Sequence, residues 1–211
     1  ACQQLGLRAG AILHQGVTIE PASTELRAEI DEAAAEVGRQ FQDRAGIRTL
    51  PEIAQLHQVL RDVGVKPRRH PPSNQKLLEF ALKHGTLPAI NNLVDAYNLV
   101  SLRTLASLGA HDTGQISSPV ELRLLTGEET FTPLGSSEPE VVVAGEFGYV
   151  DSQGRLLCRL DSLQADFSKV GGSTRDVLVI VESTLATEGQ QRHEAVELAM
   201  EVISGHCGEI G

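Results

Sequence analysis

No apolar run in this 211-residue sequence approaches the ~18–20 residues a membrane helix needs, so no membrane span is expected. The stretch Ala1 to Gly10 carries no charged segment followed by a long apolar block, so a signal peptide is either absent or already removed. Cysteine is scarce: Cys2, Cys158 and Cys207 are an odd number at wide spacing, which excludes a disulfide framework. No CxxC or tight Cys/His cluster marks zinc, and His206-Cys207 lacks a second ligand pair. A reducing cytoplasm is the simplest compartment for such a chain. Sequence repeats and low-complexity segments are also absent.

Positive charge is in short supply as well. The net charge of −10 argues against holding nucleic acid by bulk electrostatics. The basic residues are unevenly placed, however. From Arg61 to His84 six basic residues (Arg61, Lys66, Arg68, Arg69, Lys76, Lys83) face two acidic ones, a local +4, while the rest of the chain carries −14. Such a patch can position one phosphate backbone, or it can be a solvated helix end.

What is present is a helical half followed by a β half. Leu5 to Val17 reads as a strand or hairpin. A helix follows Pro21, with Ser23 or Thr24 as N-cap, and Leu26, Ile30, Ala33, Ala34, Val37 and Phe41 form its apolar stripe. Pro51 opens another helix, which Gly64 stops. Three prolines predict an extended path over Lys66 to Pro72. A short helix from Ser73 ends at Gly85, and a further one runs from Pro88 to about Arg103. Gly109 to Pro119 is expected as loop. Strands are predicted over 120–125, 141–150, 155–160 and 177–182, and Val196, Ala199, Met200 and Ile203 mark a final helix. The fold class expected is α+β: a helical N-terminal half packed on a mostly antiparallel β core, with a C-terminal helix.

The helix after Pro88 is apolar almost all round, yet Asn91, Asp95 and Asn98 recur at steps of four and three. They either line a polar pocket or face solvent. Glu182 closes a run of five apolar residues on a presumed central strand, where a carboxylate binds a ligand hydroxyl or amine, or is simply a solvated strand end. Gly145 and Gly148 sit inside a predicted strand and mark bulges or close backbone approach. No GxxxxGK[ST] and no GxGxxG before a helix is present, so nucleotide binding finds little support. There is no GxSxG, no cysteine beside a recognisable base and no HExxH. His111-Asp112 is either an oriented imidazole or a surface loop.

Taken in order, these segments resemble the B3/B4 domain of the phenylalanyl-tRNA synthetase β subunit, especially its free-standing relatives. The resemblance runs from about Lys66 to Leu185. It is carried by Leu87 to Asn98, Ala110-His111-Asp112, Leu122 to Glu129, Gly145-Glu146, Asp151 and Cys158-Arg159. It implies an α+β fold on a β core, with residues 1–65 as an N-terminal strand and helical extension and 66–211 as the B3/B4-like domain. It also implies an editing pocket between the Asn98 helix and the Glu182 strand, with Asn98 in the pocket and Glu182 reading a substrate hydroxyl. The substrate-binding candidates are Asn91, Asp95, Asn98, His111, Glu146 and Glu182. The family's pocket histidine falls on Gly109, with His111 two residues later.

The chain is too short for a synthetase core. Three functions follow: a deacylase acting on misacylated tRNA, a non-catalytic module for RNA or an amino acid, or an interaction protein with a vestigial pocket. Lys66, Arg68, Arg69 and Lys76 are the RNA-binding candidates. No residue is assigned a catalytic role, and no metal or cofactor is expected. The partners expected are tRNA or aminoacyl-tRNA, with a free amino acid as a further ligand; neither DNA nor a membrane is expected.

Overall fold

A computed structural model describes residues 2–186 and 189–208; the outer limits of the expected division, residues 1 and 211, lie outside this range. The polypeptide folds as an α+β structure with two antiparallel sheets. The first sheet has the order β1-β7-β2, formed by β1 (Leu7–His14), β7 (Val177–Thr184) and β2 (Ser107–Asp112). The second has the order β3-β4-β5-β6, formed by β3 (Glu121–Leu124), β4 (Phe147–Val150), β5 (Leu156–Arg159) and β6 (Leu163–Gln164). Central strand β7 is the continuously apolar run, as burial on both faces requires. Strand β1 pairs with it along all eight of its residues, so the first 65 residues contribute directly to the sheet.

The period of two in β7 divides the molecule into layers. Val177, Val179 and Val181 join the main core with helices α1 (Thr24–Gln40), α4 (Ser73–His84), α5 (Asn92–Thr104) and α6 (Gly189–Cys207). Leu178 and Ile180 face the second sheet and pack with Tyr149, Leu157 and Leu122. Glu182 continues that second face. Two further helices, α2 (Arg44–Arg48) and α3 (Pro51–Asp62), complete the chain. Helix α3 covers Leu7 and Phe147 with Leu56, Val59 and Leu60.

Helix ends follow sequence chemistry. Ser23 Oγ accepts from Leu26 N to cap α1, Pro51 opens α3, and Gly85 ends α4 at φ 68°. Gly148 permits close backbone approach: a Cβ there would lie 2.5 Å from Leu156 Cδ1 and 2.6 Å from the Cys158 carbonyl oxygen.

Several expectations need correcting. Lys66 to Pro72 is not simply extended, because Arg69 N donates to Lys66 O at 2.9 Å. Pro67 at the second position of a turn is as well suited to its fixed φ as an extended path is. The expected loop after Gly109 contains most of β2, whose pairing with β7 overrides a polar, glycine-containing sequence. The predicted strand over 141–150 shortens to Phe147–Val150, since Gly145 at φ 90° breaks the extended path before it. The helix expected from Pro88 begins at Asn92, with Asn91 as its cap.

Candidate functional site

A cavity lined by several polar side chains lies where the β2 edge meets α4, α5 and the β5–β6 turn. An outer cavity of about 240 Å³ is lined by Ser73, Lys76, Asn98, Gly109, His111 and Asp161, among others. It shares Leu108, Gly109, His111, Cys158 and Asp161 with an inner recess of about 40 Å³ that ends at Ser107, Tyr149, Ile180 and Glu182. The cavity wraps around β2 because that strand is an edge: Leu108 belongs to the helix-facing core, while Ser107, Gly109 and His111 share the opposite face.

Strand pairing sets the floor. Ser107 lies opposite Glu182, Gly109 opposite Ile180 and His111 opposite Leu178. Gly109 and His111 therefore look the same way, two residues apart. A Cβ at Gly109 would meet nothing within 4 Å, so the missing side chain is open cavity. The neighbouring histidine supplies an imidazole to the same space.

His111 is 2% exposed, and its Nδ1 is 2.9 Å from Ser168 Oγ. Its Nε2 has no protein partner among the described residues. Burial lowers its pKa to about 4, so the ring is neutral at pH 7. Asn98 is 8% exposed, and its carboxamide lines the outer cavity without a hydrogen bond to a described residue. A buried amide without a protein partner is a group kept for a ligand or solvent.

At the floor, Tyr149 Oη donates to Glu182 Oε2 at 2.5 Å. Glu182 Oε1 is buried with no described donor. Asp161 stands beside it, its Oδ2 accepting from Ser107 Oγ at 3.0 Å and from Ser73 N, in the first turn of α4, at 3.3 Å. Burial raises the pKa of both carboxyls, and the Asp161 charge raises that of Glu182 further. The Cys158 thiol is pushed well up by burial and remains protonated.

The structure thus brings Asn98, His111 and Glu182 to one cavity and places Asn91, Asp95 and Glu146 elsewhere. Asn91 Oδ1 accepts from Val94 N as the cap of α5. Asp95 is ion-paired with Arg27 at 3.0 Å and accepts from Ile90 N. Glu146 pairs with Arg159 at 2.5 Å. Their polarity is consumed by packing. Asp161, Ser107 and Tyr149 escaped the sequence reading; the Asp161-Ser162 dipeptide after a strand was the available signal, legible only as a turn.

The basic candidates also divide. Lys66 and Arg68 line a groove of about 710 Å³ with Arg48, Arg61 and His57. Arg69 belongs to the same exposed turn. Lys76 instead lines the outer cavity, its Nζ 3.4 Å from Ser162 O. Gln75 and Glu79 on α4 border the groove, and Ser73 and Lys76 border the cavity, so one helix separates the two. Among the described residues no cluster of three or more His, Cys, Asp or Glu side chains could hold a metal, and no helix is long and apolar enough to cross a membrane.

The sequence profile of the B3/4 domain matches residues 55–204. This chain belongs to the B3/4 domain family. The B3/4 match begins at residue 55 rather than 66, taking in most of α3, and it contains the whole cavity. A solved structure similar to this B3/4 protein is an N-terminal fragment of the phenylalanyl-tRNA synthetase β subunit from Pyrococcus horikoshii, at 11% identity and a TM-score of 0.46. The alignment covers 94% of this chain and 45% of that one. No curated protein matches the sequence.

Proposed function

We propose that the cavity receives the aminoacyl group of an aminoacyl-tRNA and that the chain hydrolyses its ester. The observation that carries this reading is the convergence of two ligand-ready groups, Asn98 and His111, above the buried Asp161–Glu182 floor. The space is smaller than the ~300–1,000 Å³ typical of drug-sized ligands, which suits a single small polar group. Family membership supports a tRNA-borne amino acid as that group, through the synthetase resemblance noted in the sequence.

The attacking species is water, because the thiol lining the site is protonated. Neutral His111 accepts a hydrogen bond from that water through Nε2, and Asn98 holds the ester. The water oxygen bonds to the carbonyl carbon, the bond to the ribose oxygen breaks, and one water proton passes to the departing ribose oxygen, giving a free carboxyl and a ribose hydroxyl. Positioning rather than a strong base supplies the acceleration. The groove bearing Arg61, Lys66 and Arg68, with Arg69 beside it, takes the phosphate backbone across α4, and Lys76 meets the terminal nucleotide at the cavity mouth. The free thiols of Cys2, Cys158 and Cys207 agree with a reducing compartment such as the cytoplasm.

A second reading, binding without turnover, is favoured because no activated nucleophile lines the cavity among the described residues. Incubating the protein with a panel of radiolabelled misacylated tRNAs separates the two. Release of the amino acid above the buffer rate supports hydrolysis. Retention on filters without release supports binding alone, and neither signal overturns both.

A further inference from the structure

The floor of the cavity is an acidic recess whose described lining includes no lysine or arginine. Glu182 Oε1 is buried and unpartnered, while Oε2 is held by Tyr149. Asp161 lies within hydrogen-bonding reach of Glu182, and its Oδ2 is held by Ser107 and by the first turn of α4. Such a pair keeps one proton between its members, because two adjacent buried carboxylates do not both ionise.

A strained turn carries Asp161 into this arrangement. Leu160 and Asp161 are consecutive non-glycine residues at φ 55° and 61°, and Ser162 N donates to Arg159 O across them. Positive φ at both central positions is the mark of a type I′ turn, normally built from Asn-Gly. A leucine and an aspartate there cost roughly 1–3 kcal/mol each. Leu160 is completely buried, and the turn delivers the Asp161 carboxyl to the cavity.

We propose that the recess walled by Ser107, Tyr149, Asp161 and Glu182 seats a primary ammonium group of the ligand. This deepens the aminoacyl reading above and rests on it for the rest of the ligand. A recess of about 40 Å³ admits one water-sized group. A hydroxyl fits that volume but brings no positive charge to Glu182, because Lys76 acts on Asp161 from the outer cavity and not on Glu182. An ammonium brings three donors and a full positive charge, fills the vacant Oε1, and lets both carboxyls ionise. The shared proton leaves to solvent as the ammonium enters. The other titratable groups facing the pair are Lys76 from α4, His111 from β2, Cys158 from β5, Tyr149 from β4 and Cys2 from the N-terminal segment. The thiols and the phenol are protonated, His111 is neutral, and Lys76 lines only the outer cavity. The proton lost on binding therefore comes from the carboxyl pair.

Calorimetric titration near pH 7 in two buffers of different ionisation enthalpy tests this. Alanine methyl ester against lactate methyl ester probes an α-ammonium, and butylamine against butanol probes a side-chain ammonium. At least one amine should bind roughly tenfold or more tighter than its hydroxyl counterpart, releasing about one proton, and the arm that does so identifies the source. Glu182→Gln should abolish the proton release. Hydroxyl compounds binding as well as amines in both arms, or amines binding without proton release to the wild-type protein, would overturn the proposal without the need for any variant. Amine binding with proton release but no deacylation of any tRNA would sink only the hydrolysis reading; deacylation without amine preference would sink only this one.

Discussion

Tyr149 on β4 and Glu182 on β7 are joined by a 2.5 Å hydrogen bond that crosses from one sheet to the other. The phenol fixes one carboxylate oxygen, and the other is buried without a described donor on a residue that lines the recess. A packing contact between layers thereby becomes the device that aims the floor of the site.

Replacing Tyr149 by Phe removes this donor and leaves Glu182 Oε2 buried without one. Stability should fall by about 1–3 kcal/mol, seen as a lower urea midpoint at unchanged slope. Adding Glu182→Gln should not cost the sum of the two single changes, since the residues are in contact. Additive losses would show that the bond carries no coupling.

His111 predicts an acid-side loss of stability. Its folded pKa of about 4 lies below its ordinary 6.5. The contribution is therefore complete above pH 6.5 and is lost as pH falls toward 4, on the order of 3 kcal/mol in all. Glu129 adds a later limb. Burial raises its pKa, but donation from Thr126 and Gly127 and pairing with Arg123 outweigh this and hold it at about 2, against 4.5. The raised pKas of Asp161 and Glu182 act oppositely, favouring the fold as pH drops. Urea titrations across pH should show that His111→Asn flattens the wild-type slope between pH 6.5 and 4.

Gly109 separates folding from function. Its φ lies outside the left-handed region, and an added Cβ meets nothing within 4 Å. Gly109→Ala should change stability by less than about 1 kcal/mol while narrowing the cavity. Ester hydrolysis should fall by roughly tenfold or more. Unchanged hydrolysis would place the substrate elsewhere.

The arginines of the Lys66–His70 turn should act on RNA uniformly. Replacing Arg68 and Arg69 by Ala should weaken all tRNAs alike and lower the salt slope by roughly one unit per lost contact. Lys76→Ala, at the cavity, should alter hydrolysis more than the salt slope. Filter binding across a salt series reads both.

The helical layer was legible because its signals are local. Ser23, Pro51 and Gly85 act through the nearest turn of backbone, and the stripe on α1 repeats every three or four residues. Strand β2 was not legible. Ser107 to Asp112 has no β-branched residue, its short alternation rests on Leu108 and Ala110 alone, and it is a strand because β7 lies beside it. The site divided in the same way. Asn98 and Glu182 stood out as polar residues in apolar runs, but so did Asp95, whose partner Arg27 is 68 positions away and invisible to spacing. Asp161 reaches the cavity only through a turn that its sequence disfavours.

The central claim is that Asn98 and Glu182 form one hydrolytic site, and the rate of amino-acid release from a panel of aminoacyl-tRNAs tests it most directly. The wild-type protein should accelerate release from at least one member over buffer. Asn98→Ala should slow that release roughly tenfold or more, and Glu182→Gln should change which amino acid is released fastest while leaving tRNA affinity and its salt slope intact. No acceleration for any member, or both variants matching the wild-type protein across the panel, would contradict it.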